Sequence, residues 1–125
     1  MLPQNTLLGK LDIIEIYEYH DKPLLFACRN ATYTHYMVVQ ETVHPDYETW
    51  LYAPISPTRF EQARSGMIDL HDIFKYAEDG FVFWVKIPTE QLKPIVVQTI
   101  STDQLADDQI PDVGEFLDPA HIIIA

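Results

Sequence analysis

The chain has 125 residues, 47% of them hydrophobic and 22% charged, which suits one globular domain with a core and excludes a disordered polypeptide. It carries 19 acidic and 8 basic residues, and the formal net charge of -11 disfavours binding to nucleic acid or to an anionic membrane. A basic partner protein, a cationic ligand and solubility alone all remain compatible with this charge. We expect residues 1–125 to form a single domain.

The cysteine content and the N-terminal sequence indicate a cytoplasmic location. Cys28 is the only cysteine, so an intrachain disulfide is excluded, and this fits a reducing compartment. Residues 1–10 lack a basic stretch followed by an apolar run, so we expect no signal peptide. No run of 18 apolar residues occurs, and we therefore expect no membrane span.

The first half of the chain predicts a series of strands joined by short turns. Ile, Tyr, Val and Thr are frequent in these segments, and Pro, Asp and Asn separate them. Short connections favour an antiparallel meander, because parallel neighbours need a long crossover. In the second strand Leu24, Phe26 and Cys28 alternate onto one buried face, which predicts an inert thiol. The four strands are expected at residues 11–19, 23–29, 33–42 and 48–53.

Two short helices are predicted next. Ser56 is a suitable N-cap, Pro57 fits the first helical position, and the helix should run to Arg64 or Ser65. Gly66 is expected to terminate it in the left-handed conformation. The side chains expected to face the sheet are those of Phe60, Ala63 and Met67.

The second helix is expected from Asp69 to about Tyr76, with Asp72 completing a variant of the capping box. Further strands are predicted at residues 81–87, in the centre of the sheet, and at residues 95–100. Ser101 and Gln104 predict a short helix over residues 102–106. The expected fold class is α+β: a twisted antiparallel sheet of five to seven strands with two or three short helices, mainly on one face.

The sequence from Ser101 onward is acidic and ends in an apolar run. It contains no Lys or Arg, so we expect residues 101–125 either to pack on the domain or to contact a partner. Exposed isoleucines are costly in water, so Ile122–Ile124 should form an edge strand or pair with another chain, and a homodimer is compatible with the second alternative. The acidic residues of this segment are Asp103, Asp107, Asp108, Asp112, Glu115 and Asp118.

The aromatic residues of the strands suggest a binding surface. Tyr17 and Tyr19 should share one face of the first strand, and Trp50 and Tyr52 one face of the fourth. One layer of helices covers one face of a sheet, so large aromatics on the other face are expected either to remain partly exposed or to lie under the C-terminal segment. Tyr and Trp are enriched at interaction hot spots.

Histidines lie beside carboxylates at three places, His20–Asp21, His44–Asp46 and His71–Asp72. Neighbouring residues on a strand or helix do not face each other, and the spacing of known zinc and calcium motifs is missing. The sequence also lacks a nucleophile elbow and a glycine-rich phosphate loop. We therefore predict no catalytic residue, metal ligand or cofactor.

A further signal comes from five segments: Leu11–Tyr19, Pro23–Asn30, Thr49–Ser56, Gly66–Asp72 and Glu78–Val82. Together they resemble a small bacterial family of uncharacterised domains seen among cyanobacteria. The resemblance extends from about residue 8 to residue 111, and it implies a bacterial, cytosolic protein without assigning any activity or catalytic residue.

The sequence thus favours a non-catalytic protein-interaction module, of the kind that an accessory or immunity-type factor represents. Its partner would be a protein, and a basic one if the acidic groups take part. The alternative is a small hydrolase-like or ligand-binding protein that uses His71, Asp69 and Asp72. The residues predicted to form the interaction surface are Tyr17, Tyr19, Trp50, Tyr52, Asp103, Asp107 and Asp108.

Overall fold

The computed structural model describes residues 2, 3 and 6–125. Within these residues the chain forms seven strands, two helices and three short 3-10 turns. The strands are β1 (Leu11–His20), β2 (Lys22–Asn30), β3 (His35–His44), β4 (Tyr47–Ile55), β5 (Phe81–Pro88), β6 (Val96–Ser101) and β7 (Ile123–Ile124). The helices are α1 (Pro57–Arg64) and α2 (Leu70–Lys75), and the 3-10 turns are Thr102–Gln104, Asp107–Gln109 and Pro119–His121.

All strands belong to one antiparallel sheet with the order β6-β5-β4-β3-β2-β1-β7. The predicted antiparallel meander is therefore confirmed. Strand residues dominate, so the α+β description holds only loosely. β5 is an interior strand as expected, paired with β4 on one side and with the edge strand β6 on the other. No helix in the described part of the chain is both long and apolar enough to cross a bilayer.

Local sequence sets the ends of α1 as predicted. The Ser56 hydroxyl oxygen accepts a hydrogen bond from the Arg59 N–H at 3.2 Å, and Pro57 takes the first helical position. Gly66 adopts a φ of 74°, which ends the helix. The expectation that Met67 faces the sheet is wrong: its side chain is 71% exposed, because the reversal at Gly66 interrupts the helical periodicity.

The first face of the sheet packs against both helices. Strands β2 to β5 contribute Leu25, Met37, Leu51 and Val82 to this core, among others. The helical contribution to the same core comes from Phe60, Ala63, Leu70, Ile73 and Phe74. The predicted placement of the helices mainly on one face therefore agrees with this core.

The second face carries a separate aromatic core. Trp50 and Tyr52 are both 0% exposed and pack with Phe26, Cys28 and other strand residues. Besides strand residues, the described members of this core are Leu2, Leu8 and Ile95. Register shifts in the β1–β2 and β3–β4 pairs indicate bulges, and bulges increase the local twist of a sheet.

The sequence predicted that the aromatic residues of the second face either stay partly exposed or lie under the C-terminal segment. Both alternatives are wrong for Trp50 and Tyr52. Trp50 and Tyr52 are not partly exposed, and the C-terminal segment does not cover them. Side chains of the strands pack around them together with the N-terminal residues Leu2 and Leu8. Cys28 belongs to this core, and burial raises the pKa of its thiol, as an inert cysteine requires.

Residues 102–125, called the C-terminal segment below, pack on the helical face. Their apolar anchors Leu105, Ile110 and Leu117 are buried in the first core. The predicted helix at residues 102–106 is a 3-10 turn, Thr102–Gln104, and Ser101 makes no side-chain cap bond to it. Ile123 and Ile124 pair with Ile16 and Glu15 of β1, so the terminal isoleucines form an edge strand within the chain.

Candidate acidic cleft

A cleft of about 490 Å³ lies between the sheet and the C-terminal segment. Strands β1, β2 and β3 form one wall through residues such as Tyr17, Leu25 and Val39, and the C-terminal segment forms the other. Five carboxylate residues are among those that line it: Glu18, Glu41, Asp108, Glu115 and Asp118. We call this feature the acidic cleft.

The described lining of the acidic cleft contains no Lys or Arg. His121 is its one basic group, and the His121 Nδ1 atom lies 2.8 Å from Asp118 Oδ2. Among the described residues, three of the eight Lys and Arg side chains pair with carboxylates: Lys22, Arg64 and Lys93. Within the described residues, the four cleft carboxylates other than Asp118 therefore have no Lys or Arg partner.

Glu41 is the most firmly held carboxylate of the cleft. It lies at the register shift between Gln40 and Thr42 of β3, and this bulge directs it towards β5 and the C-terminal segment. Its Oε1 atom accepts hydrogen bonds from the Thr49 hydroxyl at 3.0 Å and from the Trp84 indole N–H at 3.2 Å. Its Oε2 atom accepts one from the Gln109 amide at 3.0 Å.

The donors to Glu41 found in the described part of the chain are all neutral. They fix the orientation of the carboxylate without cancelling its charge, because hydrogen bonds from neutral groups leave the net charge in place. A half-buried carboxylate held in this way can receive a cation without first breaking an ion pair. Glu41 is therefore a preorganised anionic group.

Tyr17 forms the aromatic part of the cleft wall. Its hydroxyl donates a hydrogen bond to Glu15 Oε1 at 2.8 Å, and Glu15 in turn pairs with Arg64 Nη2 at 2.9 Å. Burial, followed by the hydrogen bond to Glu15, raises the pKa of the Tyr17 phenol. Tyr17 is thus a neutral, oriented side chain that lines the cleft.

Three hydrogen bonds to backbone groups of the C-terminal segment hold this wall of the cleft against α2. The Gly114 N–H donates to Asp69 Oδ2 at 2.8 Å, and the Leu70 N–H donates to the Glu115 carbonyl at 2.7 Å. The Lys75 ammonium group donates to the Leu105 carbonyl at 2.8 Å. These bonds place Asp108 and Glu115 opposite the sheet without using the carboxylates of either residue.

A second cluster of polar groups lies at the start of α2. One ligand-type atom each of Asp69, His71 and Asp72 lies within 4.8 Å of the others. The expectation that His71 and Asp72 point apart is wrong, because His71 Nδ1 lies 3.4 Å from Asp72 Oδ1. On its other side the imidazole lies 3.5 Å, through Nε2, from Asp107 Oδ1.

Asp69 in this cluster acts as a helix cap. Its Oδ1 atom accepts the Asp72 N–H at 2.9 Å, which confirms Asp69 as the cap, and its Oδ2 atom accepts the Gly114 N–H. The Asp72 carboxylate, which was expected to return a bond to the cap, lies beside His71 instead. The bond from Gly114, more than that from Asp72, lowers the pKa of Asp69. Structural hydrogen bonds therefore occupy both oxygens of Asp69.

The structure divides the residues predicted for the interaction surface into three groups. Tyr17 and Asp108 lie together in the acidic cleft. Tyr19, Asp103 and Asp107 are exposed outside its lining. The side chains of the third group, Trp50 and Tyr52, lie in the second core and offer no surface to a partner in this structure.

Sequence reasoning did not identify several cleft residues, namely Glu18, Glu41, Glu115 and Asp118. Glu18 and Glu41 lie next to register shifts, which change the side-chain alternation that strand arguments use. The high acidic count of the C-terminal segment was the available signal for Glu115 and Asp118.

The fold and the cleft define an antiparallel-sheet protein with an anionic groove beside its helical face. A family described as a family of unknown function (DUF6575) matches residues 1–125, and the chain therefore belongs to it. The predicted membership of an uncharacterised family is thus confirmed, whereas the bacterial origin stays a prediction. Neither a curated protein nor a solved structure matches the chain.

Proposed function

We propose that the protein is a non-catalytic interaction module that binds a basic segment of a partner protein in the acidic cleft. The observation that carries this proposal is the set of five carboxylate residues around one cleft whose described lining contains no Lys or Arg. An accessory or immunity-type factor would use such a surface to capture a cationic site on its target. A cytoplasmic location accords with this role.

The acidic cleft suits Lys or Arg side chains in particular. Their charged ends would approach Glu41, Glu18 and Asp108, and attraction is strengthened where the walls exclude water. Their aliphatic stems would contact apolar lining residues such as Val39 and Phe116. Because it combines both kinds of surface, the cleft favours a basic peptide segment over a bare cation.

Glu41 supports the proposal through its rigidity. Three neutral donors hold its carboxylate before any partner arrives, so binding need not order this side chain. Glu18 and Asp108 are exposed and add long-range attraction, which raises the association rate more than it strengthens the final contact.

The experiment compares two double variants that have the same net charge. Glu18→Gln with Asp108→Asn neutralises two exposed carboxylates of the cleft, and Asp12→Asn with Asp79→Asn neutralises two exposed carboxylates outside its lining. An arginine-rich peptide is titrated by calorimetry at low and at high salt. A glutamate-rich peptide of equal length serves as the ligand control.

The proposal predicts that the cleft variant binds the arginine-rich peptide roughly tenfold more weakly, equivalent to about 1.4 kcal/mol. The control variant should bind about as tightly as the unaltered chain. Added salt should weaken binding, because it screens the exposed charges. An equal loss of affinity in both variants would show that the peptide is attracted to the whole acidic surface, and this result would contradict a specific site in the cleft.

One observation favours a second candidate function, binding of a divalent cation or small ligand by Asp69, His71 and Asp72. These three groups converge within 4.8 Å, as a metal site requires. Binding would raise the melting temperature with Zn²⁺ or Mn²⁺ concentration, and His71→Gln would abolish the rise. An unchanged melting temperature with both metals would exclude a divalent-cation site at this cluster, and an unchanged melting temperature across a metabolite panel would exclude a small-ligand site.

A further inference from the structure

The two edges of the sheet are protected to different extents. At one edge, the acidic strand β1 is partly covered by β7, which has two residues. At the other edge lies β6, with the sequence Val-Val-Gln-Thr-Ile-Ser and without a charged side chain, Pro or Gly. Charged residues, Pro and bulges are the usual means by which edge strands avoid pairing with other chains.

In the described part of the chain, no strand pairs with the outer side of β6. Its hydrogen-bonded neighbour is β5, in regular register from Val96 opposite Lys86 to Ser101 opposite Phe81. Among the described residues, backbone hydrogen bonds outside the regular elements do not involve residues 96–101. The alternate N–H and C=O groups of six residues in regular register can therefore pair with a further strand.

The sequence of β6 is complementary to itself. In antiparallel pairing, residues directly opposite each other project from the same face, so a two-fold axis through Gln98 is allowed. This axis places Val97 opposite Thr99 of the second copy and Val96 opposite Ile100. Each of these pairs joins two β-branched side chains, a type of pair that stabilises neighbouring strands.

Charge is compatible with a second copy at this edge in spite of the net charge of -11. The acidic cleft lies on β1 to β3, and β4 and β5 separate those strands from β6. Two of the eight basic residues, Lys86 and Lys93, lie near the start of β6 and line a depression together with Val96. These lysines place positive charge beside β6 and offset part of the repulsion between two acidic copies at this edge, where Asp46 lines the same depression and Glu90 pairs with Lys93.

We propose that β6 is a self-association surface, through which two copies of this chain pair antiparallel about Gln98 into one continuous sheet. The interface is isologous, because the same strand contributes from both copies. It leaves the acidic cleft of each copy open, so self-association and capture of a basic segment are independent properties.

The test introduces charge at Gln98, which lies opposite Gln98 of the second copy at the two-fold axis. Gln98 is exposed, so Gln98→Glu and Gln98→Lys alter the edge without altering either core. Each variant alone places two like charges directly opposite each other, which should raise the dimer Kd by about fivefold. An equimolar mixture of the two variants places opposite charges there and should restore the dimer. Sedimentation velocity on the full chain gives these constants.

Matched controls are Thr58→Glu and Thr58→Lys, at an exposed position on α1. Both should dimerise like the unaltered chain, and circular dichroism should show the same fold in all variants. A monomer at every concentration of the unaltered chain would overturn the proposal. A dimer whose Kd does not respond to Gln98→Glu or Gln98→Lys, or a mixture that is not restored, would also overturn it.

Discussion

The two faces of the sheet each bury a core, but they are covered by different kinds of chain. On the second face, strands and the N-terminal residues Leu2 and Leu8 enclose Trp50 and Tyr52 completely. On the first face, short helices and the acidic C-terminal segment form the cover, and the acidic cleft remains between this segment and the strands.

This difference shows how the composition of the covering segment decides whether a face of the sheet contributes to stability or offers a binding surface. An apolar cover can pack without gaps, so the second face contributes mainly free energy of folding. The C-terminal segment has few apolar anchors, among them Leu105, Ile110 and Leu117, and hydrogen bonds fix the rest of its path. Polar groups between the anchors are therefore left at a surface where a partner can reach them.

The largest expected effect concerns the closed face. Trp50→Ala should lower the free energy of unfolding by about 3–5 kcal/mol, because it leaves a large cavity in a fully buried core. The matched control is Tyr19→Ala on the exposed end of β1, where the side chain is 58% exposed and the change should stay within about 0.5 kcal/mol. Urea unfolding measures both. Similar losses in the two variants would contradict the assigned burial.

A smaller effect is expected where the C-terminal segment joins α2. Asp69→Asn keeps one acceptor oxygen but loses the other, so the Asp72 or the Gly114 N–H loses its partner. The free energy of unfolding at neutral pH should fall by about 1 kcal/mol. The matched control is Asp12→Asn, an exposed carboxylate outside the cap.

Asp69→Asn also tests how the free energy of unfolding depends on pH. The pKa of Asp69 is lowered in the folded state, so its stabilising contribution is present above the unfolded pKa, near 3.9. This contribution is lost as the pH falls through the folded pKa. The difference in unfolding free energy between the unaltered chain and Asp69→Asn should therefore shrink on acidification. A difference that grows at low pH would contradict the assignment.

The smallest expected effect distinguishes local from global stability. Gln109→Ala removes the amide that joins the C-terminal segment to Glu41 and should cost about 0.5 kcal/mol, because Glu41 keeps its bonds from Thr49 and Trp84. Hydrogen exchange should accelerate in residues 106–118 and stay unchanged in β4 around Trp50. Faster hydrogen exchange throughout the sheet would mean that the C-terminal segment and the second core do not open independently.

The elements set by local chemistry could be predicted from the sequence. The Ser56 cap, the Gly66 terminator and the Asp69 cap follow from side-chain and backbone preferences, and the structure confirms them. The antiparallel meander followed from the short connections between strands. Such features depend on a few neighbouring residues, so sequence alone contains the necessary information.

The acidic cleft depends on features that sequence periodicity does not reveal. A bulge at Glu41 changes the alternation of β3, and its donors Trp84 and Gln109 lie 43 and 68 residues away in the chain. The burial of Trp50 depends on side chains from strands β1 to β6 and on Leu2 and Leu8, most of which lie far from it in the chain. Long-range packing of this kind determined which of the predicted aromatic residues reached the surface.

The most direct measurement of the central claim is an amide chemical-shift titration of the chain with an arginine-rich peptide at low salt. Binding in the acidic cleft predicts shift changes at Glu18, Val39 and Glu41 on the sheet and at Asp108 and Glu115 opposite them. Resonances of Trp50 and Tyr52 in the closed core should stay in place. Shifts spread evenly over exposed carboxylates such as Asp12 and Asp79, or confined to another surface, would contradict the claim.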